Sequence, residues 1–208
     1  MKEKFLKGLK WFYQSFIWLF VLLLVTDIVT KQIIMHSGVD PESGHTLVVD
    51  WGFVRIRYIL NYKAAFGIGA SDPNVSRILY LVIASLAIAG LMVFLILKRK
   101  TTKLYIRACL VMIITGALGN MIDRIFYTPY RAVVDWIDFW WVPGWVWVFN
   151  IADSCIVVAA FMLIIYLVIV EVKELIAKRN AEVGKEVVLS KSEKERLESE
   201  KSDKNESK

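Results

Sequence analysis

Apolar residues along the chain fall into four long blocks with short polar breaks between them. They run from Trp11 to about Lys31, Arg77 to Leu97, Leu104 to Asp123 and Phe149 to Val170. Each approaches the roughly 20 residues that a helix needs to cross a hydrocarbon core of about 30 Å. The pattern predicts an α-helical membrane protein with four transmembrane helices. The first block is too long for a cleavable leader and no small-x-small cleavage site follows it, so a retained helix is expected. Between the first two blocks, Phe53 to Leu60 alternates, with Val54, Ile56, Tyr58 and Leu60 on one face. That alternation predicts a strand in a small β-sheet over about 40–70. The connection at about 125–148 carries five of the eight tryptophans. It is expected to be an aromatic loop lying along a membrane interface, with Asp135 and Asp138 solvated. From Glu182 onward Ser, Lys and Glu dominate without apolar period, which predicts a disordered tail. The expected division is a membrane domain over 1–170 and a charged tail over 171–208.

Composition agrees, with 57% hydrophobic residues and a mean hydropathy of +0.51, above the usual range of soluble domains. The net charge of +6 belongs entirely to the first 170 residues, because the tail sums to zero. Lys2, Lys4, Lys7 and Lys10 precede the first block, Lys98, Arg99, Lys100 and Lys103 fill the turn between the second and third, and Lys173, Lys178 and Arg179 follow the fourth. The two longer connections hold only Arg55, Arg57, Lys63 and Arg131. Retention of basic flanks on the cytoplasmic side predicts cytoplasmic termini, with the sheet and the aromatic loop outside. The basic surplus is therefore topological, and no nucleic-acid partner is expected. Cys109 and Cys155 both lie in apolar runs, which excludes a disulfide framework and a four-thiolate zinc site. With His36 and His45 as the only histidines, neither a metal nor a cofactor is expected.

Ionisable residues inside membrane helices are costly and mark a partner or a task. Asp27, Asp123 and Asp153 each lie roughly 24–27 Å along their helices from the cytoplasmic end, so they share one depth near the outer boundary. Asn120 and Asn150 stand three residues before Asp123 and Asp153, on the same helical face as the acid. Gly116, Ala117, Gly119 and Ala152 keep the surroundings small. Two carboxylates at an interface suit hydrolysis by an aspartic dyad, in which one acid holds a proton while the other activates water. Two alternatives stand beside this: interhelical hydrogen bonds that only hold the bundle, and a small ion or proton conductor using the three acids. Asp27 and Lys31, four apart, form an ion pair within the helix or support the dyad. Arg124 can neutralise acid charge or reach a lipid phosphate. Cys155, with no histidine near, is expected to be a buried small residue.

Five ordered segments then fit one family. Thr26-Asp27-Ile28-Val29-Thr30-Lys31, Asn61-Tyr62-Lys63-Ala64-Ala65-Phe66-Gly67, Gly116-Ala117-Leu118-Gly119-Asn120-Met121-Ile122-Asp123-Arg124, Val133-Val134-Asp135-Trp136 and Phe149-Asn150-Ile151-Ala152-Asp153-Ser154 resemble the motifs of lipoprotein signal peptidases (signal peptidase II). The resemblance spans 26–154. It implies an aspartic endopeptidase of the bacterial plasma membrane, multi-pass, with its active site at the extracytoplasmic face. Such an enzyme removes signal peptides from prolipoproteins just before the diacylglyceryl-modified cysteine. By motif position, Asp123 and Asp153 would be the catalytic pair. Asp27, Lys31, Asn61, Gly116, Asn120, Arg124, Asn150 and Ala152 would bind substrate or support the pair. The implied partners are prolipoproteins, membrane lipids and a globomycin-type inhibitor, and a monomer suffices. Lys63 and Thr115 depart from the family pattern, where glycine is usual, and the charged tail lies outside its core.

Overall fold

The computed structural model describes residues 2–62, 72–127, 131–144 and 146–206. The chain forms helices α1 (Lys2–Ser15) and α2 (Ile17–Met35), strands β1 (Leu47–Asp50) and β2 (Arg55–Asn61), and helices α3 (Pro73–Lys98) and α4 (Leu104–Phe126). Strands β3 (Val133–Asp138) and β4 (Val148–Phe149) follow, and then helix α5 (Ile151–Glu206). The chain divides into two compact units, Met1–Leu163 and Ile164–Lys208. Four helical stretches among the described residues are long and apolar enough to cross a membrane: Ile17–Met35, Pro73–Lys98, Leu104–Phe126 and Ile151–Val183. Their mostly exposed apolar side chains fit a hydrocarbon surround in place of water.

The first apolar block is not one helix. Phe16 takes the left-handed conformation (φ 58°), and the Ser15 hydroxyl, which donates to Phe12 O, accepts from Ile17 N at 3.3 Å. A serine that competes for backbone groups breaks the helix there. The spanning segment therefore starts at Ile17 and runs on to Met35. α3 opens with Asp72 accepting from Asn74 N and Val75 N and with Pro73 in its first turn, a strong start signal. The tail also departs from expectation, because α5 continues to Glu206. Its sequence is rich in Glu and Lys, both good helix formers, which supports a helix.

The expected strand is present as β2, with Ile56 and Tyr58 buried. What the sequence placed in a solvated aromatic loop is partly a second long strand, β3. The antiparallel sheet has the order β1-β2-β3-β4, and β2 pairs with β3 through Arg55↔Asp138, Ile59↔Asp135 and Asn61↔Val133. The β-branched run Val133-Val134 favours that pairing. It carries Asp135 and Asp138 inward, to 1% and 6% exposure, so neither is solvated as expected. Ile34 of α2 packs with Ile56, Tyr58 and Val134, joining the sheet to the helices. Trp140, Trp141 and Trp147 are exposed, whereas Trp136 packs against that core. Trp145 and the Lys63 to Gly67 part of the second motif lie outside the described residues.

Gly116 and Gly119 set how closely α4 approaches its neighbours. A Cβ on Gly119 would sit 2.6 Å from Asp27 Oδ2 and 3.2 Å from Ala152 Cβ, and one on Gly116 would collide with the Ala152 carbonyl and reach 2.7 Å from Ile156 Cγ1. Overpacking of this kind costs about 1–3 kcal/mol. Gly116→Ala and Gly119→Ala are expected to lower the unfolding temperature in detergent, while Gly90→Ala, with open space around it, should leave it unchanged.

Candidate active site

The buried polar cluster draws on five elements. α2 supplies Asp27 and Lys31, and α4 supplies Asn120, Asp123 and Arg124. β2 supplies Asn61, β3 supplies Asp135, and the start of α5 supplies Asn150, Ala152 and Asp153. Lys31 is its hub. The Nζ atom donates to Asp27 Oδ2 at 2.8 Å and Asn120 Oδ1 at 3.1 Å, and it pairs with Asp123 Oδ2 at 2.9 Å. The pair expected within α2 is thus half of a three-charge group joining α2 to α4. Asp27 uses its other oxygen to accept from Ala152 N at 2.9 Å, satisfying one of the open N–H groups at the start of α5.

The two Asn-x-x-Asp patterns have different physical origins. Asn150 caps α5: its Oδ1 accepts from Asp153 N at 2.9 Å, and Asp153 Oδ2 accepts from Asn150 N at 3.4 Å. This is the reciprocal arrangement of a capping box. Asn120 lies within α4 instead and donates to Asp153 Oδ1 at 2.7 Å. Its own oxygen takes hydrogen bonds from Lys31 and from Asn150 Nδ2.

Asp123 and Asp153, the pair expected from sequence, are in different surroundings. Asp123 is charge-compensated by Lys31 and also accepts from Val134 N at 3.2 Å, which fixes β3 against α4. Asp153 has no cation within ion-pair distance among the described residues, and neither has Asp135. Asn150 brings these two acids together, donating from Nδ2 to Asp135 Oδ1 at 2.7 Å while holding Asp153 through the cap. Asn61 donates to the other Asp135 oxygen at 2.9 Å. Burial, and next the charge of Asp153, push the Asp135 carboxyl up to about 7, against the lowering effect of Asn61, Lys31 and Asn150. Two carboxylates joined through one amide, one of them raised by burial and by the other's charge, have the electrostatics an aspartic dyad needs.

Asp135 belongs to a quoted motif but was given no role. Its signal was an acid inside an apolar β-branched run. Tyr80 was missed altogether, since an aromatic in a membrane helix carries no mark. The Arg124 guanidinium lies 3.7 Å from the Tyr80 ring centroid and donates to Asn120 O at 3.1 Å, so Arg124 is turned inward and 3% exposed. Cys155 is buried and unbridged, as expected. His36 and His45 are exposed.

Removing one partner from a buried charge group leaves the others uncompensated, at a cost of about 3–5 kcal/mol. Lys31→Met is therefore expected to lower stability by that order in thermal unfolding. Arg55→Met, at an exposed pair, should cost less than about 1 kcal/mol.

Residues 19–169 match the family model described as Signal peptidase (SPase) II. A lipoprotein signal peptidase of Haemophilus influenzae is 34% identical over 151 residues, covering 73% of this chain and 84% of that protein. One from Shewanella oneidensis is 31% identical over 157 residues, covering 76% and 85%. A solved bacterial membrane enzyme superposes with a TM-score of 0.60 at 28% identity, covering 73% of this chain and 86% of that one. With the polar cluster and all four apolar spans inside or overlapping the matched region, this chain belongs to the signal peptidase II family.

Proposed function

We propose that this chain is the membrane aspartic endopeptidase that removes signal peptides from prolipoproteins, with Asp135 and Asp153 as the carboxylates that act on the peptide bond. The observation that carries this pairing is the bridge made by Asn150, next to an Asp123 that is ion-paired to Lys31. One carboxylate of the pair takes a proton from water as the water attacks the scissile carbonyl. The other donates its proton to the carbonyl oxygen; as the tetrahedral diol collapses, the first passes the water-derived proton to the leaving amine and the second takes a proton back from the diol hydroxyl. The proton resides on the pair jointly. Asp123 has a positioning role: it holds the Val134 N–H and thereby the strand that carries Asp135. Asn61, Asn120 and Asn150 orient the two acids, and Gly116 and Ala152 let α4 and α5 pack closely enough to hold them. Arg124, steadied on Tyr80, supports the cluster from within by donating to Asn120 O.

Further features of the reading rest on the family resemblance and the charge pattern. Cleavage falls immediately before the diacylglyceryl cysteine, the termini are cytoplasmic, and the site lies at the extracytoplasmic face of the bacterial plasma membrane. Lipids surround a monomer, and a globomycin-type cyclic peptide inhibits it. The depth of the polar cluster supports this, because a signal helix ends in lipid where the scissile bond must meet water.

The test is cleavage of a diacylglyceryl prolipoprotein by purified variants. Asp135→Asn and Asp153→Asn are expected to lose activity by 10³-fold or more, as removal of a catalytic group does, while still unfolding cooperatively. Asp123→Asn should lose activity together with stability. If Asp135→Asn keeps cleaving and Asp123→Asn is inactive yet stable, the pair is Asp123 with Asp153, as expected from sequence.

The raised Asp135 carboxyl also sets a pH dependence. It binds its proton more tightly folded, at about 7, than unfolded, at about 3.9. The folded state therefore holds more protons across that window, and this group's contribution to stability falls as pH rises from about 4 to 7. Asp135→Asn should remove that fall, measured as unfolding temperature against pH. The wild-type cleavage profile should show an ionisation near 7 that the pair governs.

A further inference from the structure

Outside the polar cluster, the junction of α1 and α2 has its own chemistry. Lys4, Lys7 and Lys10 recur every three residues along one exposed stripe of α1, while Leu6, Phe12 and Tyr13 are exposed on its apolar side. The break at Phe16 turns the chain from this amphipathic segment into the first apolar span. Tyr13 stacks on Trp18 across the break, with ring centroids 5.8 Å apart, and Trp18 Nε1 donates to Tyr13 O at 3.1 Å. Between them opens a groove of about 520 Å³ lined by Leu6, Lys10, Phe12, Tyr13 and Trp18. Arg107 of α4 meets the same junction: its guanidinium donates to Gln14 O and lies 5.8 Å from the Phe16 ring centroid.

We propose that this groove binds an anionic phospholipid, its acyl chain against Leu6, Phe12, Tyr13 and Trp18 and its headgroup at Lys10 and Lys7. A surface apolar on four of its five lining residues, with a lysine as the fifth, matches a molecule that is apolar with a single anionic head. A helix with separate basic and apolar faces, joined directly to a span, lies in the headgroup zone, where that molecule is found. The contact of Arg107 with Gln14 ties the α1–α2 junction to the first turn of α4 and adds a cation there. Free phosphate would use the lysines but not the aromatic walls. Binding here is separate from the peptidase reading and does not depend on it.

The test is native mass spectrometry of the full-length protein in detergent with equimolar phosphatidylglycerol and phosphatidylcholine. Wild type is expected to retain phosphatidylglycerol severalfold over phosphatidylcholine, and millimolar inorganic phosphate should not displace it. Lys7→Gln/Lys10→Gln should bring the two lipids to parity. Leu6→Ser/Tyr13→Ser should lose both. Lys173→Gln/Lys178→Gln, which removes the same charge elsewhere, should keep the wild-type preference. The proposal is overturned if wild type retains both lipids equally, or if either lysine pair abolishes the preference alike. It is also overturned if phosphate competes the lipid away.

Discussion

A single buried cation organises this protein. Lys31 is 1% exposed, and taking an ammonium from water to such a place costs several kcal/mol unless its charge and its donors are met. Asp27, Asp123 and Asn120 meet them, and each commits another element. Asp27 reaches on to the first turn of α5, and Asp123 reaches on to the backbone of β3. One ammonium thereby fixes α2, α4, α5 and the sheet at a common level. In a membrane, where apolar contact between helices competes with equally apolar lipid, polar contacts of this kind carry much of the specificity of packing. The small residues of α4 permit the approach on which those contacts depend.

The acids divide accordingly. Three of the four acids in the cluster come from membrane helices, and two of these are tied to Lys31. The remaining helical acid, Asp153, meets Asp135, which is delivered by a strand. A strand at the end of a bundle can lie where lipid gives way to water, so a water-consuming step is available there without opening the bundle. The amide side chains of Asn61, Asn120 and Asn150 hold the two acids without bringing in a charge that would neutralise them.

Much of this was legible in the sequence. The four spans, the alternating strand β2, the common depth of Asp27, Asp123 and Asp153 and the small surface of α4 follow from period and composition. The break at Phe16 was not legible, because an aromatic residue with positive φ leaves no mark in a run of apolar residues. Asp135 was hidden for a different reason. Its burial depends on β3 pairing with β2 more than 70 positions away, and a tryptophan-rich segment reads equally well as an interfacial loop. The repeated Asn-x-x-Asp pattern was legible as a pattern but not in its cause. One copy is a helix cap and the other a contact across helices. Helix at the end of the chain went unpredicted because propensity without an apolar face is a weak signal.

The cap at Asn150 has a consequence for the order in which the protein becomes competent. Its amide joins two acids that no single insertion event places together: one enters with the last span, and the other arrives only when β3 pairs with its distant strand. A newly inserted bundle with its outer segments still unpaired holds Asp153 without its partner. Pairing of β3 with β2 is therefore what completes the cluster.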